Sequence, residues 1–327
     1  MKITAYEVRP DEAAWFQEIS RGRDISLTLI PEPLTGENVA HCRGADGVSI
    51  LGHSILGEKL LTQLKDMGVK VVSTRTVGCN HIDLNKAREI GMPVCNTCYG
   101  PECVADYTVM LLLLCIRKYK QVLWRMQIND YSLDGLEGKQ VGSMTVGVVG
   151  TGRIGRQVMQ DLSGFGCKFL CYDPYPHPEA ARLGEYVSLE ELWERSDVIT
   201  LHAPLTPENY HMVDRQTLAK MKPGVILLNA ARGGLMDMEA VIEAVENRQI
   251  GALGLDVFEN EDGIYHENLR DDIIKNRSMA YLRQFPNVVM TPHMAFYTQE
   301  AVQSMVHGSV DSIVDVCKTG SAQSRIV

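Results

Sequence analysis

The chain has no long hydrophobic run. Its most apolar stretch, Val109–Ile116, has eight residues between Asp106 and Arg117, where a bilayer needs about 20, and this excludes a membrane span. Positive charge is also scarce: 32 Lys+Arg against 41 Asp+Glu leave a formal net charge of −9 with no basic stripe. That argues against nucleic acid or an anionic membrane surface as a partner. No apolar signal-peptide core follows Met1–Val8, so this stretch reads as an opening strand and a cytoplasmic protein is expected. The nine cysteines are odd in number and scattered, as free thiols in a reducing compartment are. Cys95 and Cys98, with Cys103 nearby, lack a second ligand pair at suitable spacing, so no metal is expected. Internal repeats and low-complexity tracts are absent as well. What remains is 327 residues, 45% of them hydrophobic, enough for two domains with their own cores.

The most informative stretch runs from Thr145 to Asp173. A short apolar run, Val146–Val149, has the length of a buried parallel strand. Gly150, Gly152 and Gly155 follow in G-x-G-x-x-G spacing. A helical pattern then carries Ile154, Val158, Leu162 and Phe165 on its apolar face and stops at Gly166. A second strand, Phe169–Tyr172, ends in Asp173. The first glycine permits the tight turn, the second lets backbone approach a pyrophosphate, and the third lets the helix pack close. The helix N-terminus offers unpaired N–H groups to phosphate, and the terminal acid can accept hydrogen bonds from a ribose diol. Glycine-rich turns alone are common; strand, helix, strand and acid together predict dinucleotide binding.

Strand-like runs at Ile3–Val8, Ile25–Leu29, Val48–Leu51 and Val69–Ser73 alternate with helical segments over residues 1–100, and Glu58–Met67 ends at Gly68 as a glycine C-cap does. Gly100-Pro101 opens a helix expected from Glu102 to Met126, apolar in its middle and therefore buried between domains or subunits. Beyond the glycine turn, strands at Val198–Leu201, Val225–Leu228, Ala252–Leu255 and Val288–Met290 alternate with helices, one begun by the capping box Ser188-x-x-Glu191 and one capped by Asp237. The last helix, Gln299–Lys318, has apolar residues in register to pack back onto the N-terminal unit. The fold class is thus α/β, with two Rossmann-like domains built on doubly wound parallel sheets. Residues 1–100 plus 299–327 form a discontinuous substrate domain, into which a nucleotide domain, 101–298, is inserted.

Ligands sit at the carboxyl ends of such strands. Those ends collect Asp173, His202-Ala203-Pro204, Asn229 to Gly233 with Arg232, then Asp256 with Glu259 and Glu261, then Thr291-Pro292-His293. One arginine, one or two carboxylates and one histidine suit reduction of a 2-oxo acid. The guanidinium holds the substrate carboxylate in a two-pronged grip, and the histidine gives a proton to the ketone oxygen. A carboxylate on its other ring nitrogen orients it and favours the protonated ring. Glu259 and Glu261 are two apart, and spacing does not choose between them. His81, at a helix start, and His202, inside the nucleotide domain, read as structural.

From TRTVGCNHID (74–83), YGPECVADYTV (99–109), VGVVGTGRIGR (146–156), LLNAARGG (227–234), LDVFENE (255–261) and TPHMAFYT (291–298), the chain resembles the D-isomer-specific 2-hydroxyacid dehydrogenase family nearly end to end, most closely its D-lactate dehydrogenase branch. The resemblance implies an NAD-dependent enzyme acting on a small 2-oxo or 2-hydroxy acid, pyruvate and D-lactate first, and a homodimer. Its register selects Glu261, with Arg232 and His293, as the catalytic set. It implies cofactor contacts from Gly150, Gly152, Arg153, Ile154, Gly155, Asp173, Ala203, Pro204, Asn209, Ala230, Ala231, Arg232 and Asp256, the last near the nicotinamide carboxamide. Substrate contacts fall to the backbone of Val77 and Gly78 and to Tyr99, Arg232, His293 and Phe296. The loop Leu51-Gly52-His53-Ser54 lacks the arginine found in relatives acting on 2-hydroxyglutarate, which disfavours a dicarboxylate. Asp173 is kept where some relatives that accept NADP replace it. Siblings for bulkier 2-oxo acids, such as 2-oxoisocaproate or phenylpyruvate, and non-enzymatic NAD-sensing corepressors on the same fold are the alternatives.

Overall fold

The computed structural model describes residues 1–327, which divide into two compact units, Met1–Gly100 with Tyr297–Val327 and Pro101–Phe296. In the first, β1 (Lys2–Ala5), α1 (Pro10–Ser20), β2 (Ser26–Leu29), β3 (Gly47–Ile50), α2 (Glu58–Asp66), β4 (Val71–Thr74), α3 (Leu84–Glu89) and β5 (Val94–Cys95) follow in order. The five strands are parallel, in the order β2-β1-β3-β4-β5. Gly68, at φ +87°, ends α2 by returning its N–H to the Lys65 carbonyl. The carboxyl ends of β1, β3 and β4 are braced by Arg75, fully buried. Its guanidinium donates to Glu12 Oε1 (2.8 Å), Ser49 Oγ (3.0 Å) and the carbonyls of Tyr6 and Glu7 (2.8 and 3.0 Å). Such a cation is tolerated inside only because each direction of its fork is met. The Glu7 carboxylate in turn accepts the N–H groups of Leu51, His53 and Ser54 (3.0, 2.8 and 3.0 Å) and fixes that loop.

The second unit contains α4 (Glu102–Ile116), α5 (Tyr119–Met126), β6 (Thr145–Val149), α6 (Arg153–Ser163), β7 (Lys168–Tyr172), α7 (Pro178–Leu183), β8 (Glu185–Tyr186), α8 (Leu189–Arg195), β9 (Val198–Leu201), α9 (Arg215–Lys220), β10 (Val225–Asn229), α10 (Met238–Glu246), β11 (Ile250–Leu255), α11 (Arg277–Leu282) and β12 (Val288–Met290). Its seven strands are all parallel, ordered β12-β11-β10-β9-β6-β7-β8. The direction of winding reverses beside β6, the strand that leads into the glycine-rich turn, where an open sheet of this kind leaves a crevice. Two apolar clusters cover the sheet, one gathered by α4 and α6 around Leu111, Val158 and Leu162, the other by α8, α9 and α10 around Leu192, Leu218 and Val241. The final helix, α12 (Gln299–Thr319), belongs to the first unit. It buries Val306, Val310 and Ile313 there, and the Ile313 side chain lies so close to Gly47 that a Cβ at that glycine would stand 2.3 Å from it.

Two local expectations need correction. The helix foreseen from Glu102 to Met126 is two helices. Lys118 turns left-handed at φ +50°, and residues 135–139 cross the end of α4, with Lys118 Nζ donating to the Gly135 carbonyl at 2.7 Å. α4 is buried within its own unit, against α6, β10 and β11, whereas α5 has no fully buried residue. Phe165 lies past the end of α6, which Gly164 caps, and is 44% exposed instead of facing the core. No helix is long and apolar enough to cross a membrane. All nine cysteines are free thiols.

Candidate active site

The glycine turn shows why each glycine is there. Gly150 has φ +94°, and a Cβ on it would stand 2.7 Å from the Ala203 nitrogen and the His202 carbonyl carbon. A Cβ on Gly155 would stand 2.0 Å from the Gly150 oxygen, so α6 packs against the turn only because that atom is missing. A Cβ on Gly152, by contrast, would meet nothing within 4 Å. That open side, at the N-terminus of α6 where Arg153, Ile154 and Gly155 form the first turn, fits the approach of a pyrophosphate. Asp173 is drawn to the turn: its Oδ2 accepts the Thr151 N–H at 2.7 Å and its Oδ1 the Tyr175 N–H at 2.9 Å. Oδ2 also accepts the Thr151 hydroxyl at 3.2 Å, so Oδ1 is the oxygen that keeps a lone pair for a ribose hydroxyl. Arg156 is engaged elsewhere, donating to the Thr151 carbonyl (2.9 Å) and pairing with Glu179 (3.0 Å).

After β9, His202 hydrogen bonds through Nε2 to Thr200 Oγ1 at 2.9 Å, and burial pushes it down to about 4, a neutral structural ring. Ala203 and Pro204 follow it. The Asn209 side chain closes the next turn, its Oδ1 accepting the Thr206 N–H (2.8 Å) and its Nδ2 donating to the Pro204 carbonyl (2.7 Å). It therefore shapes the loop that carries Ala203 and Pro204.

At the end of β10, the buried Asn229 wraps its amide around the turn Ala230-Ala231-Arg232, accepting the Ala231 N–H (3.0 Å) and donating to the Arg232 carbonyl (2.9 Å). A Cβ on Gly233 would stand 2.2 Å from the Phe258 carbonyl carbon, so the loops after β10 and β11 are pressed together here. Arg232 Nη1 donates to the Ala231 carbonyl at 2.7 Å. No carboxylate pairs with this half-buried guanidinium.

Geometry separates the two glutamates. Glu259 is held by the Tyr210 hydroxyl (2.7 Å) and His211 Nε2 (3.1 Å). Glu261 Oε1 meets His293 Nδ1, while its Oε2 accepts the Phe258 N–H at 2.7 Å. His293 Nε2 is left without a partner in the chain. His293 itself sits left-handed at φ +51°, its N–H donating to the Asp256 carbonyl at 2.7 Å. His266, in the irregular segment after Glu261, reaches the His293 carbonyl through Nε2 at 3.0 Å and stands edge-on to Phe296, ring centroids 6.2 Å apart.

Asp256 is enclosed by its own chain. Its carboxylate is fully buried: Oδ1 accepts the Thr291 hydroxyl (2.6 Å) and the Met294 N–H (2.9 Å), Oδ2 the Ala295 N–H (2.8 Å). A carboxylate at the buried end of a strand needs such donors, and meeting them makes it the organiser of the turn that carries His293.

In the first unit, the Val77 carbonyl accepts Asn96 Nδ2 (2.9 Å) and the Gly78 carbonyl accepts Thr76 Oγ1 (2.6 Å). The N–H groups of Val77 and Gly78 donate to nothing in the chain, and Val77 is 43% exposed. Two adjacent free amides whose carbonyls are tied back form a seat for an anion. Tyr99 is the last residue but one of this unit's first segment, while Phe296 is the last residue of the second unit. Asn96 and His266 escaped the sequence reading, and Asn229 was placed at its strand end without a role. Asn229 at least lies within the LLNAARGG motif, but His266, exposed in a segment of no periodicity, gives no signal.

Comparison with known proteins agrees with this chemistry. The sequence model described as "D-isomer specific 2-hydroxyacid dehydrogenase, NAD binding domain" matches residues 109–295. An "Aromatic 2-oxoacid reductase" of Clostridium sporogenes is 43% identical over 330 residues, covering 100% of this chain and 99% of that one. A "D-lactate dehydrogenase" of Escherichia coli (strain K12) is 35% identical over 329 residues, with 100% of both chains covered. Among solved structures, that of D-2-hydroxyisocaproate dehydrogenase superposes with a TM-score of 0.91 at 32% identity, covering 100% of this chain and 99% of the other.

Proposed function

The chain belongs to the D-isomer-specific 2-hydroxyacid dehydrogenase family of NAD-dependent oxidoreductases, and on that premise we propose that it interconverts a 2-oxo acid bearing an apolar side chain and the D-2-hydroxy acid. The observation that carries this reading is the Glu261–His293 pair with its free Nε2, in the same unit as an Arg232 guanidinium that no acid occupies. NAD, when bound, exchanges a hydride with the substrate C2 at C4 of its nicotinamide. Arg232 holds the substrate carboxylate through paired N–H donors. The N–H groups of Val77 and Gly78 suit the same carboxylate chemistry. His293 Nε2–H gives its proton to the ketone oxygen during reduction and takes it back during oxidation. Glu261 keeps the ring oriented through Nδ1 and stabilises its positive charge. Asp173 accepts the adenosine ribose diol and repels a 2′-phosphate, so NADH is the preferred reductant over NADPH.

Residue patterns alone favour pyruvate. The relative at 43% identity, named for aromatic 2-oxo acids, exceeds the D-lactate dehydrogenase at 35% and moves the first choice to an aromatic side chain, with pyruvate as the second reading. Free thiols suit a reducing cytoplasm, and a homodimer is proposed from the apolar surface of the second unit. The test is NADH oxidation across pyruvate, 2-oxoisocaproate, phenylpyruvate and 2-oxoglutarate. The expected order of kcat/KM places phenylpyruvate first and 2-oxoglutarate last. Turnover of none of them would leave only the NAD-sensing alternative, and fastest turnover of 2-oxoglutarate would reveal an unrecognised cationic partner.

A further inference from the structure

We propose that His266 is a positioning residue for the acid/base histidine, tying the Glu261 turn to the His293 turn through its bond to the His293 carbonyl. The inference rests on the roles given above to Glu261 and His293. After Glu261 the chain makes one helical turn, with the N–H groups of Ile264 and Tyr265 donating to the Glu261 carbonyl at 3.0 and 3.1 Å. That turn delivers His266 back to His293, whose carbonyl accepts its Nε2–H at 3.0 Å. A carbonyl can only accept, so the proton on Nε2 is required by the contact in either charge state of the ring. His293 and His266 both sit in the left-handed region, φ +51° and +67°, where residues other than glycine are uncommon and need surrounding constraint.

Every polar handle of His293 but one is thereby fixed. Its N–H is held by the Asp256 carbonyl, its carbonyl by His266 and its Nδ1 by Glu261, leaving Nε2 for the substrate. The His266 and His293 rings are tilted with centroids 6.2 Å apart, so His266 acts through the backbone and not by stacking. The tether matters because the segment carrying Glu261, residues 256–276, contains no regular element between β11 and α11. Without a second tie, the distance from Glu261 to the His293 ring depends on the side-chain contact alone. Burial and then the charges of Glu261 and Asp256 raise the Tyr265 hydroxyl beside the pair, while the bond to the His293 carbonyl comes from His266.

His266 is exposed, so its replacement leaves the core intact. The experiment compares wild type, His266→Ala and His266→Gln, the last keeping an N–H donor at similar reach. It reads the pH dependence of kcat/KM for the best 2-oxo acid of the panel, and NADH affinity by fluorescence. In His266→Ala the limb that falls with rising pH moves down by about half a unit, an about threefold loss above the limb, because Glu261 no longer holds the protonated ring as firmly. In His266→Gln the limb returns towards its wild-type place, and NADH affinity is unchanged in both. A limb unmoved in His266→Ala, a limb moved equally far in His266→Gln, or a parallel loss of NADH affinity overturns the positioning role while leaving the proposed reaction standing. A wild type that reduces none of the acids overturns both.

Discussion

Arg232 makes one hydrogen bond within the chain, to its neighbour's carbonyl, and that leaves its planar fork for a carboxylate. Lysine keeps the charge and loses the two parallel donors. Arg232→Lys is therefore expected to raise KM for the oxo acid about 10- to 100-fold, the worth of a charged hydrogen bond, with NADH affinity nearly unchanged. A parallel fall in NADH binding would make Arg232 a cofactor residue. Glu261 and Glu259 provide a paired test. Reduction uses the proton on His293, so kcat/KM holds at low pH and falls as the ring loses that proton. Glu261→Gln withdraws the adjacent anion, and the falling limb should move to lower pH by about one unit, roughly 1.4 kcal/mol. Glu259→Gln should leave the limb in place, since Glu259 is engaged with Tyr210 and His211. The reverse result would exchange the two assignments. Spacing placed these glutamates on equal terms because both follow the same strand; what separates them is the direction each side chain takes out of an irregular segment, which no periodicity encodes. His266 was invisible for the same reason. The three intrachain donors to Asp256 were equally hidden, because a strand-end carboxylate looks alike in sequence whatever its partners are.

At the scale of elements, the strands were the legible part. β9 and β12 lie where the sequence places them, and β6, β7, β10 and β11 differ from the foreseen runs only at their ends, because strands covered on both faces are largely apolar; the two-residue edge strand β8, Glu185-Tyr186, has no apolar run and is not foreseen. The capping box at Ser188 and the cap at Asp237 were equally plain, since each is a local bond between a side chain and the next turn. The division of the long helix into α4 and α5 was not, because residues 135–139, which close the end of α4, are remote from it in the pattern. The end of β9 also carries a consequence for acid stability. Burial holds His202 at about 4, below its ordinary 6.5, so between those values the unfolded chain binds a proton that the folded chain refuses. Stability then rises with pH across that window, is complete above about 6.5, and is lost as pH falls towards 4. Allowing for a ring that is half-buried, the loss is about 2 kcal/mol by pH 4. His202→Asn keeps a polar partner for Thr200 and cannot titrate, so its Tm should vary less with pH than wild type between 4 and 6.5. Parallel curves would show that His202 takes up its proton in the folded state.

For the molecule as a whole, the unanswered demand is apolar surface. α5 and the stretch beyond it expose Leu123 (46%), Trp124 (43%), Ile128 (75%), Tyr131 (67%) and Leu133 (83%). Apolar residues gathered this closely are rare on a chain that remains alone. A two-fold pair of identical chains covers such a patch on both copies at once, because the same surface meets itself, and a stable pair buries about 800 Å² per partner. The segment lies outside the glycine turn and the Arg232, Glu261 and His293 loops, so association can be tested without touching the chemistry. Light scattering at micromolar concentration should give twice the mass of one chain. The double variant Ile128→Asp, Leu133→Asp should give the mass of one chain, since two charges in the middle of a desolvated patch cost several kcal/mol. Its NADH affinity should match wild type, because the Asp173 and Gly152 turn is built wholly within one chain. A wild type that scatters as one chain, or a double variant that remains paired, would place the interface elsewhere or remove it, and the exposed segment would then need another occupant.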